Sequence, residues 1–274
     1  MTLSEQITYS TTLLKCELDT PDFVSVGTGF IMHLCVNNDR CIPVLITNKH
    51  VIANARSCSF ALCKRNHDGT PNDTDVEWIK VDVPGNWIMH PNQDIDLCCL
   101  PIGHIINNLI VDNEPTVLYT ALGTDIIPTQ EEISHFSAME NIVMVGYPNG
   151  ISDTHNNKPI LRRGITATHM KHDYKNTKTF LIDAACFNGS SGSPVFILDE
   201  GAYLQQNTLI AGGRIKLVGV LYAGPQFKAD GEIVFSHIPT IPRTTTEIPM
   251  NLGRVIKSSE ILAFEPLLKI LCAV

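Results

Sequence analysis

Long apolar runs are absent from the sequence, and none approaches the roughly 18 residues that a membrane-spanning helix needs. The first ten residues are mostly polar and contain no Lys or Arg. A secretory signal has a basic start followed by an apolar stretch, and the sequence offers neither there. We therefore expect a cytoplasmic protein that does not bind a membrane.

The cysteines lack the spacings that bind metal. The chain has 9 Cys, and no two of them form a Cys-x-x-Cys pair. An odd number cannot be fully paired, and the adjacent Cys98 and Cys99 would point to opposite faces of a strand. The pattern predicts reduced structural thiols and gives no support for a zinc site. We expect neither a metal nor another cofactor.

Positive charge is scarce. Lys and Arg number 20 against 28 Asp and Glu, which gives a net charge of −8. Nucleic acid and anionic membranes would not be attracted to such a net field, so the sequence disfavours both as partners. Hydrophobic residues make up 44% of the 274 residues, which is enough to build a core of one or two units.

Short apolar runs, separated by Gly, Pro, Asn and Asp, make up most of the chain. Ile79, Val81 and Val83 alternate with Lys80 and Asp82, which is the period of a half-buried strand. This texture favours an all-β barrel or sandwich. The predicted strands are Phe23–Leu34, Ile42–Thr47, Ser57–Leu62, Trp78–Val83, Leu97–Ile102, Asn141–Gly146, Ile160–Thr168, Thr179–Ala185, Pro194–Leu198, Ile215–Tyr222 and Glu232–Ser236.

Two segments break this texture. Residues 103–140 are less regular and contain Asn, Asp and Pro, so they give the best boundary between two halves. Near the end, Ser258–Glu260 precedes an apolar stretch from Ile261 to Phe264. That order predicts a short helix, stopped by Pro266.

Three short patterns place chemically useful side chains at strand ends. His50 follows the apolar strand that ends at Thr47, and Asp96 directly precedes the apolar run Leu97–Leu100. Ser191 lies in a Gly-rich turn that leads into a strand. Each pattern alone is typical of an ordinary loop or turn. Together, in the order His, Asp, Ser, they match one nucleophilic arrangement.

These patterns resemble the motifs of trypsin-like (chymotrypsin-fold) serine proteases. Gly189–Pro194 resembles the family's Gly-x-Ser-Gly-Gly-Pro motif, Thr47–Val51 its Thr-Ala-Ala-His segment, and Asp96–Leu100 its Asp-Leu/Ile-Ala-Leu-Leu segment. The weaker matches are Gly27–Phe30, Val218–Gly224, Gly146–Gly150 and Arg162–Gly164. The last two resemble the compact bacterial branch of the family, whose members without a signal are cytosolic.

The resemblance implies an all-β fold of two antiparallel six-stranded β-barrels with a short C-terminal helix. Residues 1–115 would carry His50 and Asp96 on the first barrel, and residues 116–274 would carry Ser191 on the second. It implies a serine endopeptidase with a protein or peptide substrate and no cofactor. An unregulated cytosolic protease would be hazardous, so we also expect a regulatory protein partner or a conformational latch. A role in antiviral defence is an association of some relatives, which the sequence itself does not show.

The residue types fit acyl transfer. A Ser hydroxyl such as that of Ser191 becomes a good nucleophile when a base takes its proton, and His50 is the natural base. Asp96 would hold the other ring nitrogen and stabilise the imidazolium. The N–H groups of Gly189 and Ser191 would form the oxyanion hole. Asp94 competes with Asp96 for this role, and the position directly before the apolar run favours Asp96.

Several positions depart from the pattern of secreted digestive relatives. Ser190 stands where those proteins carry an Asp that pairs with a new N-terminal amine after zymogen cleavage, so we expect no such activation here. Val51 follows His50 in place of a half-cystine, and Cys186 is one position away from the bridging Cys. Ser193 replaces the second Gly of the nucleophile motif, with little expected effect.

The substrate-binding candidates are Ala185, Tyr222, Ala223 and Gly224. Ala185 occupies the pocket-floor position, where an Asp selects Lys or Arg, and Asp183 would share its strand face. Tyr222 and Ala223 replace the usual Ser-Trp pair beside Gly224. We expect a small or medium apolar residue on the acyl side of the cut. The alternative function is a catalytically silent or latched binding module on the same fold.

Other polar features have ordinary interpretations. His169 and His172 lie in a polar stretch that favours a loop over a metal site. His90–Asn92 is interpreted as a turn leading to Asp94, with no catalytic role. The pair Arg162 and Arg163 is interpreted as a solvated or ion-paired face.

Overall fold

A computed structural model describes residues 1–18, 24–37, 40–112, 114–205, 208–224, 226–232 and 243–272. For Ala223, Cys272 and the segments 226–232 and 243–249, the backbone alone is described. The fold of these residues is mostly β, which confirms the predicted class. No helix in this part of the chain has both the length and the apolar character needed to cross a membrane.

The first half is built on one antiparallel sheet of eight strands. Its order is β10-β4-β1-β2-β3-β7-β6, with β5 added to β4, and the path does not close among the described strands. The closed first barrel therefore remains a prediction. The strands of this half are β1 Thr11–Leu18, β2 Val24–Asn37, β3 Arg40–Thr47, β4 Ala55–Arg65, β5 Pro71–Asp82, β6 Ile88–Met89, β7 Cys98–Pro101, β8 Ile110–Val111, β9 Glu114–Pro115 and β10 Val117–Leu118.

The second half contains a closed six-stranded barrel, as expected. Its strands follow the order β11-β12-β13-β20-β17-β14 and are antiparallel. Two hairpins, β15–β16 and β18–β19, form separate small sheets. The strands of this half are β11 Asn141–Gly146, β12 Ile160–Thr166, β13 Thr179–Asp183, β14 Pro194–Asp199, β15 Ala202–Gln205, β16 Thr208–Ala211, β17 Arg214–Ala223, β18 Gln226–Glu232, β19 Arg243–Pro249 and β20 Leu252–Lys257.

Short helices lie at the ends and between the halves. A capping box, in which Thr2 and Glu5 satisfy each other's backbone N–H groups, begins α1. Thr129 and Glu132 begin α3 in the same way. The α-helices are α1 Leu3–Tyr9, α2 Gly103–Asn107, α3 Gln130–His135 and α4 Phe264–Cys272; the 3-10 turns are Lys49–Val51, Thr124–Ile126, Pro148–Gly150, Tyr174–Asn176 and Ser258–Ala263.

The C-terminal helix corrects one detail of the sequence interpretation. Pro266 was expected to stop a helix, but α4 begins at Phe264 and runs through it. Pro266 stands in the first turn of α4, where a backbone N–H has no helical partner and its absence costs little. The predicted helical stretch before it is the 3-10 turn Ser258–Ala263.

Three buried clusters form the core. One lies inside the first sheet around Leu14 and Phe60, and another inside the barrel around Phe180 and Ile182. The largest lies between the two halves and beneath α4. It includes Phe30 of β2, Phe196 of β14 and Phe264 of α4, all fully buried. This third cluster holds the two halves together.

Most predicted strands match strands of the structure, usually with ends shifted by a few residues. Several strands were not predicted, among them β1 of the first sheet and β20 of the barrel. Of the predicted strand Glu232–Ser236, residues 233–236 lie outside the described residues. Strand β10 at 117–118, just beyond the predicted division after residue 115, pairs with β4 of the first half.

Candidate active site

His50 and Asp96 meet at one edge of the first sheet. His50 lies in the 3-10 turn that follows β3, and Asp96 lies just before β7, the strand paired with β3. The ring Nδ1 of His50 is 2.5 Å from Oδ2 of Asp96, and its backbone N–H donates to Oδ1 at 3.1 Å. A carboxylate only accepts hydrogen bonds, so Nδ1 carries the proton and Nε2 is left with a lone pair.

The loop that carries Asp96 is fastened by the two residues before His50. The side-chain amide of Asn48, fully buried, donates to the carbonyl oxygen of Asp96 at 2.8 Å. The ammonium of Lys49 donates to the carbonyl oxygen of Asn92 at 3.1 Å. Asp94 lies on this loop but is exposed and makes no contact with His50 among the described residues. The structure thus brings Asp96, rather than Asp94, to the histidine.

The turn around Ser191 depends on two glycines. Gly189 and Gly192 have φ of 80° and 86°, a region that disfavours side chains. A Cβ on Gly192 would also collide with the carbonyl oxygen of Thr28. Both constraints explain why the sequence needs Gly at these positions.

Within this turn, two backbone N–H groups have no hydrogen-bond acceptor among the described residues. Ser190 donates to the carbonyl oxygen of Phe187 at 3.1 Å, Gly192 to that of Leu221 at 2.8 Å, and Ser193 to that of Ser190 at 3.1 Å. The N–H groups of Gly189 and Ser191 donate to no described residue. These are the two groups that the sequence interpretation assigned to an oxyanion hole.

Thr28 on β2 links the Ser191 turn to the first half, and the sequence analysis gave it no role. Its backbone N–H donates to the carbonyl oxygen of Ser191 at 2.8 Å, and its hydroxyl donates to that of Gly189 at 3.0 Å. Its own carbonyl oxygen accepts from the hydroxyl of Thr47, three residues before His50, at 2.7 Å. The motif Gly27–Phe30 was the available signal, because a buried Thr between two glycines suggests a close backbone approach.

The Ser191 hydroxyl makes no hydrogen bond to a described residue, including the His50 ring. Catalytic hydrogen bonds are often long or misaligned until substrate binds. The turn is nonetheless tied, through Thr28 and Thr47, to the strand that positions His50. The backbone geometry therefore fixes the serine and the histidine relative to each other.

Two serines beside Ser191 have buried hydroxyls. Ser190 is 1% exposed and Ser193 is fully buried. Neither Oγ has a hydrogen-bond partner among the described residues. No carboxylate stands at position 190, and the turn is instead held by backbone hydrogen bonds.

The segment before the nucleophile packs against the ends of two barrel strands. β13 ends at Asp183, whose side chain is exposed, so Ala185 lies beyond the strand and the expected sharing of one strand face does not apply. Cys186 is buried, with its Sγ against Gly253 of β20, and burial raises its pKa to about 11. Its Cβ lies 3.6 Å from where a Cβ on Gly224 would be. The sequence analysis placed Cys186 near the nucleophile but did not predict its contact with Gly253.

The other substrate-binding candidates occupy the end of β17. Tyr222 is half-buried against the cluster between the halves, and its hydroxyl accepts a hydrogen bond from Arg254 at 3.2 Å. The backbone of Ala223 pairs with Arg254, while its side chain lies outside the described part. Gly224 is exposed. Arg162 of β12 donates a hydrogen bond to the carbonyl oxygen of Ala185 at 2.7 Å.

Comparison with known proteins gives the family. A family model described as a trypsin-like peptidase domain matches residues 27–204, well over half of the chain. The chain belongs to the trypsin-like peptidases. The matched residues of this trypsin-like peptidase include His50, Asp96 and Ser191.

Solved structures and curated proteins give two further comparisons for this trypsin-like peptidase. The chain aligns with the crystal structure of the Rv3671c protease from M. tuberculosis in its active form, at 14% sequence identity and a TM-score of 0.44. That alignment covers 94% of this chain and 80% of the other. No curated protein matches the sequence.

Proposed function

We propose that this trypsin-like peptidase is a serine endopeptidase with Ser191 as nucleophile, His50 as base and Asp96 as its orienting carboxylate. The observation that carries the proposal is the pair of hydrogen bonds between His50 and Asp96. These bonds put the proton on Nδ1 and leave Nε2 free to take a proton. The side chain of His50 is 46% exposed, so the ring is accessible to a substrate.

In the first step, the Ser191 Oγ attacks the scissile carbonyl carbon while His50 Nε2 takes the hydroxyl proton. The carbonyl π electrons move to oxygen, and the N–H groups of Gly189 and Ser191 stabilise the resulting oxyanion. Each such donor contributes about 10²–10³ to turnover in well-studied cases. Asp96 stabilises the imidazolium that forms.

When the tetrahedral intermediate collapses, His50 gives its proton to the leaving amine and an acyl-enzyme on Ser191 remains. Water then attacks the ester carbonyl, with His50 again acting as base. The products are a carboxylic acid, an amine and the regenerated serine. The buried unpaired hydroxyl of Ser190 takes no part in this cycle.

We propose a preference for small or medium apolar residues on the acyl side of the cut. Cys186, Gly224 and Gly253 meet near Ala185, and these residues offer little volume and no carboxylate. The nearest acidic residue before Ala185 along the chain, Asp183, is exposed at the end of β13. A cationic side chain would therefore find no counter-charge there.

The setting remains the one proposed from the sequence, which is cytoplasmic, with a protein partner that controls the activity. The eight cysteines whose side chains are described are thiols, which is compatible with a reducing compartment. An uncontrolled serine peptidase would cleave cytoplasmic proteins, which is the reason for proposing a partner that controls its activity.

A fluorophosphonate probe tests the catalytic proposal without knowledge of the substrate. The wild type is expected to gain one adduct, located on Ser191 by peptide mapping. The matched variants are Ser191→Ala, which should lose the adduct, and Ser190→Ala, which should keep it. A folded wild type without an adduct would contradict the proposal and favour the binding-module alternative.

A further inference from the structure

The strands β1 and β4 separate partway along their length. They pair from Leu18 with Ala55 up to Lys15 with Ser59, where the ladder ends. Beyond that point the hydroxyl of Thr12 donates to the carbonyl oxygen of Ala61 at 2.8 Å and accepts from its N–H at 3.1 Å. A side chain thus takes the place of the neighbouring strand, and the sheet wall is interrupted there.

A cavity of about 300 Å³ fills this interruption, and we name it the β1–β4 cavity. Apolar side chains from both strands and their neighbours line part of it, including Leu13, Ile31, Leu62 and Leu118, and polar side chains such as those of Thr12, Ser152 and Asn157 line the rest. Tyr147 and the segment after it close one side, and the end of α1 closes the other. This volume is at the lower end of the range for small-molecule sites, roughly 300–1,000 Å³.

The charge of the lining is opposite to that of the chain. The protein carries a net charge of −8, yet the described residues that line the cavity include Lys15 and Lys158 and neither Asp nor Glu. Lys158 already has a partner, because it lies 2.7 Å from Asp73 and its ammonium sits over the ring of Tyr9. That leaves Lys15 as the cation open to a ligand.

Lys15 stands beside an aromatic platform at the mouth of the cavity. Its Nζ lies 4.2 Å from the ring centroid of Trp78, and Trp78 is 45% exposed. Among the described residues, no carboxylate lies within ion-pair distance of this ammonium. An ammonium at the rim and apolar walls behind it match a molecule with an anionic head and an apolar body.

The cavity also adjoins the support of the nucleophile turn. The hydroxyl of Tyr147 donates to the carbonyl oxygen of Thr11 at 3.4 Å, and its backbone N–H donates to the hydroxyl of Thr28 at 3.1 Å. Two residues on, the N–H of Asn149 donates to the carbonyl oxygen of Asn188, directly before Gly189, at 2.5 Å. A ligand that moves Tyr147 would therefore move the peptide that precedes Gly189.

We propose that the β1–β4 cavity binds a small organic carboxylate with an acyl or aryl body, and that its occupancy changes the reactivity of Ser191. The carboxylate pairs with Lys15, and the apolar body enters between β1 and β4. The effect on Ser191 rests on the proposed function, whereas the binding itself does not.

Calorimetric titration with phenylbutyrate tests the binding. The wild type is expected to bind one equivalent saturably, and the neutral phenylbutanol at least about tenfold more weakly, because it lacks the charge that Lys15 recognises. Lys15→Met should weaken the binding of phenylbutyrate by a similar factor. Ala61→Phe should abolish binding by filling the cavity. Lys175→Met is the matched control, since Lys175 also lies over an aromatic ring, that of Tyr174, but away from the cavity.

Circular dichroism melting of each variant shows that it is folded before titration. Absence of saturable binding by the folded wild type would overturn the proposal. Equal binding of phenylbutanol, or equal weakening by Lys15→Met and Lys175→Met, would overturn the assignment of a carboxylate to Lys15.

The coupling is measured as the rate of fluorophosphonate labelling of Ser191 with and without saturating phenylbutyrate. A change of at least about threefold that is lost in Ala61→Phe supports it. An unchanged rate in the presence of bound ligand overturns the coupling. A protein that binds phenylbutyrate but is not labelled in either condition contradicts the proposed function and leaves the binding site intact.

Discussion

The ring Nε2 of His90 lies 3.1 Å from the carbonyl oxygen of Glu260, a residue 170 positions further along the chain. The other ring nitrogen, Nδ1, accepts from the backbone N–H of Asn92 at 3.1 Å, so Nε2 carries the proton and donates. The ring is buried and meets the edge of Phe264. His90 thereby ties the loop that carries Asp96 to the C-terminal 3-10 turn and α4, a role that the sequence interpretation did not give it.

We expect His90→Phe to lower kcat about tenfold with little change in KM, because loosening this loop misplaces Asp96 and leaves substrate contacts intact. His90→Gln, which keeps a donor towards Glu260, should recover part of the loss. Steady-state kinetics on a peptide substrate measures both constants. His67→Gln, at an exposed loop position, is the control. A smaller folded fraction, with kcat per folded molecule unchanged, would show a merely structural role.

Substitutions of the two neighbouring carboxylates, Asp94 and Asp96, should differ sharply in their effect on kcat. Asp96→Asn is expected to reduce kcat by about 10³–10⁴, since an amide at this position favours the wrong histidine tautomer. Asp94→Asn should stay within about threefold of wild type, because Asp94 is exposed and does not contact His50. Labelling rates with the fluorophosphonate probe give the comparison. The opposite ranking would reassign the orienting carboxylate.

Position 190 gives a test of how the nucleophile turn is held. Ser190→Ala removes a buried hydroxyl without a partner, so the free energy of unfolding should fall by less than about 0.5 kcal/mol or rise. Ser190→Asp would bury an unpaired carboxylate and should cost about 3 kcal/mol or more. Urea unfolding measures both. A stable Ser190→Asp protein would mean that a hidden cation can reach this position.

Substrate preference should follow the volume beside Cys186. Cys186→Ala enlarges the space next to Gly253 and should shift the acyl-side preference towards larger apolar residues by about tenfold. A peptide-library profile measures the shift, and Cys41→Ala, at an exposed position, is the control. A wild-type profile dominated by Lys or Arg would refute the proposed pocket.

How much of the site could be predicted depends on whether a residue is marked by its sequence neighbours or by contacts with distant residues. His50, Asp96 and Ser191 each sit in a short motif that can be read from neighbouring residues. The contacts of Thr28 could not be predicted in this way, because they join residues about 160 positions apart, such as Thr28 and Gly189. The hydrogen bond between His90 and Glu260 could not be predicted for the same reason, since Glu260 lies 170 positions further along the chain.

The strands of the fold show the same difference between local and long-range signals. The alternation around Ile79 and Val81 predicted a strand that the structure contains, because that pattern depends on which face is buried. By contrast, β1 and β20 gain their strand character from long-range pairing on both sides, β1 with β2 and β4, and β20 with β13 and β17. Closure of a barrel is a property of such distant pairings, so the difference between the two halves has no local signal.

The position of β20 affects when the turn that carries Ser191 can be completed during synthesis. This strand, residues 252–257, joins β13 to β17 and is the last to be added to the barrel that presents Ser191. The ribosome releases the chain from its N-terminus, so every other strand of that barrel emerges earlier. Until β20 leaves the exit tunnel, β17 has no partner on that side, and Leu221 of β17 is the residue that holds Gly192 and Ser193. Until β20 has emerged and paired with β17, the turn that presents Ser191 therefore lacks one of its supports.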